Sequence, residues 1–535
     1  MPSPPHKSAP VKPGAKSSGD FGDPRLTNVE LRPVASDQRR LTLTDVAVLW
    51  GAAAIGPTTY AAASLQVGWR TGLVIVCCTS VLVAILTQPL GRTAVRYGLG
   101  FVAVSRAAFG VQGARLPIVL RLLAGVAGVA FVSAELGGWT ARLVIAALPI
   151  AGIGDGPWGR YGAWVGGAPY VVLAWWVAKG GMARVRRVSR VALTAAVLIA
   201  FALVVWAGIA SRGFGDGLSR PGAFSWGEVW RGAALVALPL FANLASCSDW
   251  LRFRVANDAQ RGGCRPWLWR LVPLCMAPVA VGLAFVGVLL MSSARAVGDT
   301  ARASPIPDAA SFGGVGAGGV AVLLCLALWL AAAPLFGLYS SALAVCGLWP
   351  RRVGFGRGLS VCLAGAVVLA PLFAATGVGG RVVVALLAAI AAVVGVLLAD
   401  ELVVRRGRVL LDELFTFGRH YGPWLGVSGG GLVAVAVGGV LHPEVVPLVQ
   451  RGLTAAANQS PALRYLVGEG ALGLGCFGSL AVAAVVYVAW APAERKAIAA
   501  CKRYWAGRRQ GSPARLESSA TTDVTNPHWM ADKDD

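Results

Sequence analysis

Apolar and polar positions in this chain alternate on the scale of whole helices. About twelve apolar stretches, each near the ~20 residues a helix needs to cross a bilayer, are separated by short polar segments. They fall at 44–66, 71–90, 116–147, 161–178, 188–210, 229–250, 267–291, 315–348, 355–376, 380–400, 424–441 and 466–490. The pattern predicts an all-α polytopic membrane protein with no long soluble insertion. Residues 1–43 are polar and rich in Pro, Ser and Lys, and they lack the short apolar core of a signal peptide. They read as a disordered tail, as does the polar end over 491–535.

Charge orients these spans. With the inter-span loops assigned alternately to two sides, the side of the N-terminus holds 37 of the 48 Lys and Arg and the other side holds 11. Basic loops stay cytoplasmic, so both termini are expected inside a multi-pass protein of the cytoplasmic membrane, with the lipid bilayer as its surroundings. This topology accounts for the net charge of +23, and no aromatic-interleaved basic module suggests nucleic-acid binding. The chain is 56% hydrophobic and 14% charged, against roughly 25% charged in soluble domains. Ten cysteines lie scattered without a CxxC pair or a Cys/His cluster. No metal site, no cofactor and no catalytic constellation is therefore expected, which argues against a membrane enzyme. No repeated filter sequence argues for a channel.

Two spans carry proline at matching places. The first reads Gly56-Pro57-Thr58-Thr59-Tyr60, and the sixth reads Leu238-Pro239-Leu240-Phe241-Ala242-Asn243. Proline removes a backbone donor and clashes with the preceding turn, so both helices are expected to break near mid-membrane. Breaks five helices apart match transporters built from inverted repeats, where the freed backbone binds substrate or ion. The alternative is two kinked packing helices.

Chemistry must then come from the rare polar groups inside the spans. Glu135 lies deep in the third span, with Arg142 as its nearest basic residue. An ionised carboxylate there must face a cavity or take up a proton. It is the candidate for proton coupling or substrate orientation, unless it sits near the outer boundary and pairs with Arg142. Gly56, Thr58 and Thr59 can meet substrate, or the hydroxyls can bond back and repair the break. Asn243 can read a heterocycle edge or cap a broken half-helix. Phe241 is a stacking candidate or a core residue. Tyr339 has a gating or structural role, and Asp249, Arg252, Asp400 and Asp412 at helix ends read as structural ion pairs and caps. His6, His420, His442 and His528 lie in tails or loops and offer no proton relay.

One stretch is more specific. Within residues 89–121, Tyr97-Gly98, Phe101, Arg106, Phe109-Gly110, Gly113, Pro117 and Arg121 stand at the spacing found in nucleobase–cation symporters. Collinear with it are Asn243-Leu244 with Asp249-Trp250-Leu251-Arg252-Phe253, then Tyr339-Ser340-Ser341 with Trp349-Pro350-Arg351, then Asp400 with Arg405-Arg406 and Asp412-Glu413-Leu414-Phe415. Over about 44–490 the chain resembles this family of permeases for cytosine, purines, uracil, allantoin and hydantoins. The resemblance implies twelve helices in a five-plus-five inverted-repeat fold, with the first and sixth discontinuous. The repeats would span 44–210 and 211–400, followed by two further helices over 401–490. It further implies a small-molecule substrate held between spans 1, 3, 6 and 8, and alternating access driven by sodium or protons.

The chain departs from the family at the site itself. Counted from Arg121, the stacking aromatic and the amide of the third span become Gly128 and Val132. The second aromatic falls near Leu240, with Phe241 adjacent. Counted back from Tyr339, the hydroxyl-rich stretch of the eighth span becomes Ala331, Ala332 and Ala333, and the following Asn becomes Gly337. Each buried polar group of a ligand left unpaired costs ~1–3 kcal/mol, and sodium needs oxygen ligands. The expectation is a permease for a nucleobase or related nitrogen heterocycle, coupled to protons rather than sodium. The alternative is a carrier of the same fold with another substrate: an amine, a vitamin precursor or a natural product.

Overall fold

The computed structural model describes residues 23, 25–35, 38–54, 69–147, 158–210, 226–254, 271–296, 337–376, 378–415, 426–440 and 469–510. Helices dominate them, and a helix falls within each of the twelve expected spans. In chain order these are α1 (Leu43–Ala53), α2 (Trp69–Tyr97), the loop helix α3 (Phe101–Phe109) and α4 (Arg115–Ala147). Next come α5 (Trp158–Lys179), α6 (Gly181–Ala210), α7 (Trp226–Leu251), α8 (Met276–Ala296) and α9 (Gly337–Leu348). The last are α10 (Phe355–Thr376), α11 (Gly379–Ala399), the single turn α12 (Leu411–Leu414), α13 (Gly429–Val440) and α14 (Glu469–Gln510). Six of the described helices are long and apolar enough to cross a membrane, and four shorter apolar helices accompany them. The only bridge among the described residues is an isolated parallel one between Leu41 and Arg254.

Helix ends follow local chemistry. Thr42 and Asp45 form a capping box that starts α1: the Asp45 amide donates to Thr42 Oγ1 at 3.3 Å and the Thr42 amide to Asp45 Oδ2 at 3.1 Å. α1 stops at Ala54, whose amide turns back to the carbonyls of Trp50 and Gly51. α11 runs into a π turn, Asp400–Val404, and the chain reverses through Arg406 and Gly407, both at positive φ.

The expected break in the sixth span is absent: α7 is one continuous helix with Pro239 inside it. Proline forfeits one donor, a loss membrane helices tolerate when neighbours enclose them, and α7 packs against α2, α11 and α14. Pro57, Gly56, Thr58 and Thr59 lie outside the described residues, as do Ala331 and Ala332.

The N-terminal boundary also differs from expectation. From residue 25 the chain is a strap held across the basic-loop end, so the disordered tail does not extend to residue 43. Asn28 caps a 3₁₀ turn, Val29–Leu31, and its Nδ2 donates to the carbonyl of Val353 at 3.2 Å. The Val34 amide donates to Gly98 O at 3.0 Å, Arg39 Nη1 to Val95 O at 2.7 Å, and the Leu41 amide to Phe253 O at 2.9 Å. Short range patterning misses such a segment because its partners are backbone carbonyls of distant loops.

Two groups of helices frame the interior. α7 lies along α2, and α8 packs on α2, α6 and α1; α4 pairs with α5 and α10. α11 bridges α4, α7 and the last two helices.

Candidate functional site

The site grows from the end of α1. Trp50 of α1 and Trp250 of α7 are both buried and meet edge-on with ring centroids 4.6 Å apart. About two turns before Trp250 on α7, Asn243 Nδ2 donates to the carbonyl of Ala53 at 3.1 Å. The last carbonyls of a helix lack intrahelical partners, and α7 supplies a donor to one of them. Asn243 thus donates to the end of α1, not to a half-helix of its own span, which is unbroken.

Across from this lies α4. Arg121, Gly125, Gly128, Val132 and Glu135 recur at helical spacing and form one stripe along it. Gly125 permits backbone contact with α9: a Cβ there would overlap Ser341 Oγ and the Gly337 carbonyl. Ser341 Oγ itself donates to Gly337 O at 2.7 Å. Three residues on, at Gly128, no described atom beyond the helix's own neighbouring backbone lies within 4 Å of where a Cβ would stand. Gly128 and Val132 are partly exposed, whereas their neighbours Val129 and Ala130 are buried. Among the described residues, this face of α4 presents glycine and valine. Glu135 belongs to α4, and its side chain falls outside the described set. Phe241 stands elsewhere: fully buried, its ring packs edge-on against Phe477 of α14 at 5.6 Å.

Below this face, toward the basic loops, is a buried polar cluster. Asp249 Oδ1 accepts from the Phe101 amide at 2.8 Å, so a carboxylate on α7 caps α3, whose own N-cap is Gly100. Arg252 Nε donates to the Asp249 carbonyl at 3.1 Å, and its Nη1 to Glu30 O of the strap at 2.7 Å. Arg252 and Arg121 are the cations whose fields reach the Asp249 carboxylate. All three side chains are buried, with 2–3% exposure. Tyr339 roofs the cluster's flank, its ring 5.3 Å from Phe355. In α3, burial pushes the Arg106 guanidinium down to about 10, and its charge lies over the Phe415 ring at 5.8 Å.

Two further clamps hold this end. Asp45, fully buried, pairs with Arg186 at 3.3 Å and with Arg190, tying α1 to α6. Asp400 accepts from Tyr487 Oη at 2.9 Å and pairs with Arg405 at 3.2 Å, tying α11 to α14. The sequence reading placed Asp249, Arg252 and Asp400 in such roles and missed Asp45, Arg121 and Tyr487. Asp45 was detectable as the fourth position of a Thr-x-x-Asp cap, and Arg121 as an isolated cation at the start of an apolar span.

A sequence profile for a permease of cytosine/purines, uracil, thiamine and allantoin matches residues 33–468. A purine-uracil permease of Arabidopsis thaliana is 24% identical over 450 residues, covering 80% of this chain and 72% of its own. An allantoin permease of Bacillus subtilis is 24% identical over 447 residues, covering 78% and 86%. Among solved structures, the nucleobase–cation-symport-1 family transporter Mhp1, closed with bromovinylhydantoin bound, superposes with a TM-score of 0.65 at 19% identity, over 88% of this chain and 96% of that one.

Proposed function

Since this chain belongs to the family of permeases for cytosine and purines, uracil, thiamine and allantoin, we propose that it carries a nucleobase or related small nitrogen heterocycle across the cytoplasmic membrane by alternating access. It is a multi-pass membrane transporter, not an enzyme. In our reading both termini are cytoplasmic, on the strength of the charge asymmetry of the loops. The helices up to residue 210 and those over 211–400 form the two repeats, and 401–490 adds a final pair.

The observations that carry the reading are the uncrowded Gly128 on α4 and the end of α1, where Asn243 meets the Ala53 carbonyl. Substrate would lie between the Gly128 and Val132 face of α4, Gly337 and the segment Gly56, Thr58 and Thr59. Phe241, whose ring is enclosed against Phe477, would hold α7 to α14 rather than stack on substrate. Glu135 is the proposed proton carrier. With alanine at 331 and 332 the eighth span offers no side-chain oxygen there, which favours a proton over sodium as the coupling ion.

A second reading has its own support. That face of α4 lacks an aromatic for stacking and an amide for hydrogen bonding, and Asn243 spends one donor on Ala53. A substrate with a larger apolar part, such as a vitamin precursor, fits such a surface. Thermal stability of the purified protein decides between them, because a ligand that binds only the folded state raises its midpoint. The panel holds nucleobases, hydantoins, allantoin and B-vitamin precursors, at acidic and neutral pH, with and without sodium. A nucleobase response that strengthens at acidic pH and ignores sodium supports the first reading. Saturable sodium dependence refutes proton coupling, and silence from every nucleobase refutes the substrate class.

A further inference from the structure

The strap and the α5–α6 turn line a half-open cavity of about 540 Å³ at the basic-loop end. Its charged lining is Arg40, Lys179 and Arg186 against one carboxylate, Glu30. Arg186 is offset by Asp45, while the exposed Arg40 and Lys179 face the cavity. Part of the wall is main chain at Gly181, whose φ is +65° and whose Cβ position meets no described atom, while the Arg184 side chain covers Gly180. The rest of the wall is mostly apolar, through Leu41, Met182, Phe253 and Phe355, with Gln38 and Tyr339 as its polar members. A converging set of cations beside an apolar surface suits a ligand that is anionic at one end and greasy at the other.

The depth of the cavity is marked independently. Immediately before the turn, Lys179 lies over the Trp175 ring at 4.7 Å, and Arg184 over the Trp176 ring at 4.4 Å. Trp176 is 49% exposed and Arg184 also donates to its carbonyl. Exposed tryptophans paired with cations mark the membrane–water boundary. The cavity therefore opens at headgroup level, where basic pockets between helices on the cytoplasmic side take acidic headgroups.

We infer that this cavity binds a phosphate-bearing anion through Arg40 and Lys179, and that its source is the headgroup of an anionic phospholipid. The inference does not depend on which substrate is carried. It is tested on the full chain, delipidated in detergent and titrated with short-chain phosphatidylglycerol, phosphatidylcholine or glycerol 3-phosphate, following the unfolding midpoint. Phosphatidylglycerol should raise the midpoint and phosphatidylcholine should not. Lys179→Gln should weaken phosphatidylglycerol binding about fivefold, and Arg40→Gln/Lys179→Gln further. Arg96→Gln/Arg115→Gln, exposed cations of the same end, should leave it unchanged. An equal response to glycerol 3-phosphate would keep the phosphate site and make its source a soluble ester. Equal response to phosphatidylcholine, wild-type affinity in the Lys179 variants, or an equal loss in the control pair would each overturn the site.

Discussion

Replacing Asp249 tests how the loop end is held together. The carboxylate is 2% exposed, caps α3 through the Phe101 amide, and neutralises surroundings that contain Arg252 and Arg121 at 3% and 2% exposure. Asp249→Ala strands a buried amide and leaves two buried guanidiniums without their anion. Breaking a buried ionic arrangement from one side costs about 3–5 kcal/mol, most of it from the charge left behind. Asp249→Asn keeps an oxygen for Phe101 and loses only the charge, so it should cost about 1–3 kcal/mol less than alanine, the penalty of an unsatisfied amide. The assay is detergent-titrated unfolding followed by fluorescence of the tryptophans, with a double-mutant cycle between Asp249→Ala and Arg252→Met. Because Arg252 is three residues from Asp249 on the same buried helix end and donates to its carbonyl, the cycle should return a coupling of about 1 kcal/mol or more. A variant within about 0.5 kcal/mol of wild type, or a cycle that closes to zero, would refute the account of Asp249 as the electrostatic centre of this end.

Glycine substitutions separate packing from site. Gly125→Val should drive α4 away from Ser341 and Gly337, lowering thermal stability sharply and abolishing uptake, while Gly128→Ala should leave the midpoint within about 0.5 kcal/mol of wild type. If Gly128→Ala destabilises as much as Gly125→Val, the space beside α4 is not open. Tyr487→Phe removes the hydroxyl that reaches Asp400, and should cost about 1 kcal/mol in the same unfolding assay. Asn28→Ala removes both the cap of the strap's turn and its bond to Val353, so limited proteolysis should cut the N-terminal region faster. An unchanged cleavage rate would show that Asn28 does not hold the strap.

The sequence by itself determined that the chain is a string of apolar helices and where they fall, because a span is a local property: enough apolar residues in a row to cover a bilayer. It also determined the family, through the spacing of Tyr97, Phe101, Arg106, Phe109, Pro117 and Arg121, and it marked Asp249, Arg252 and Asp400 as structural ionic groups. The tertiary structure alone decided questions that turn on distant partners. Pro239 signals a break locally, yet α7 stays helical because its neighbours enclose it. Residues 25–43 are polar and lack periodicity, yet the strap is fixed by the carbonyls of Val95, Gly98, Phe253 and Val353. Asn243 offered two roles, and only the tertiary structure brought its Nδ2 to within 3.1 Å of Ala53 O at the end of α1. Phe241 looked available for stacking until the approach of Phe477 enclosed it. The dividing line is physical: hydropathy and capping are written within a few residues, whereas the partner of a buried polar or aromatic group is chosen by how the helices meet.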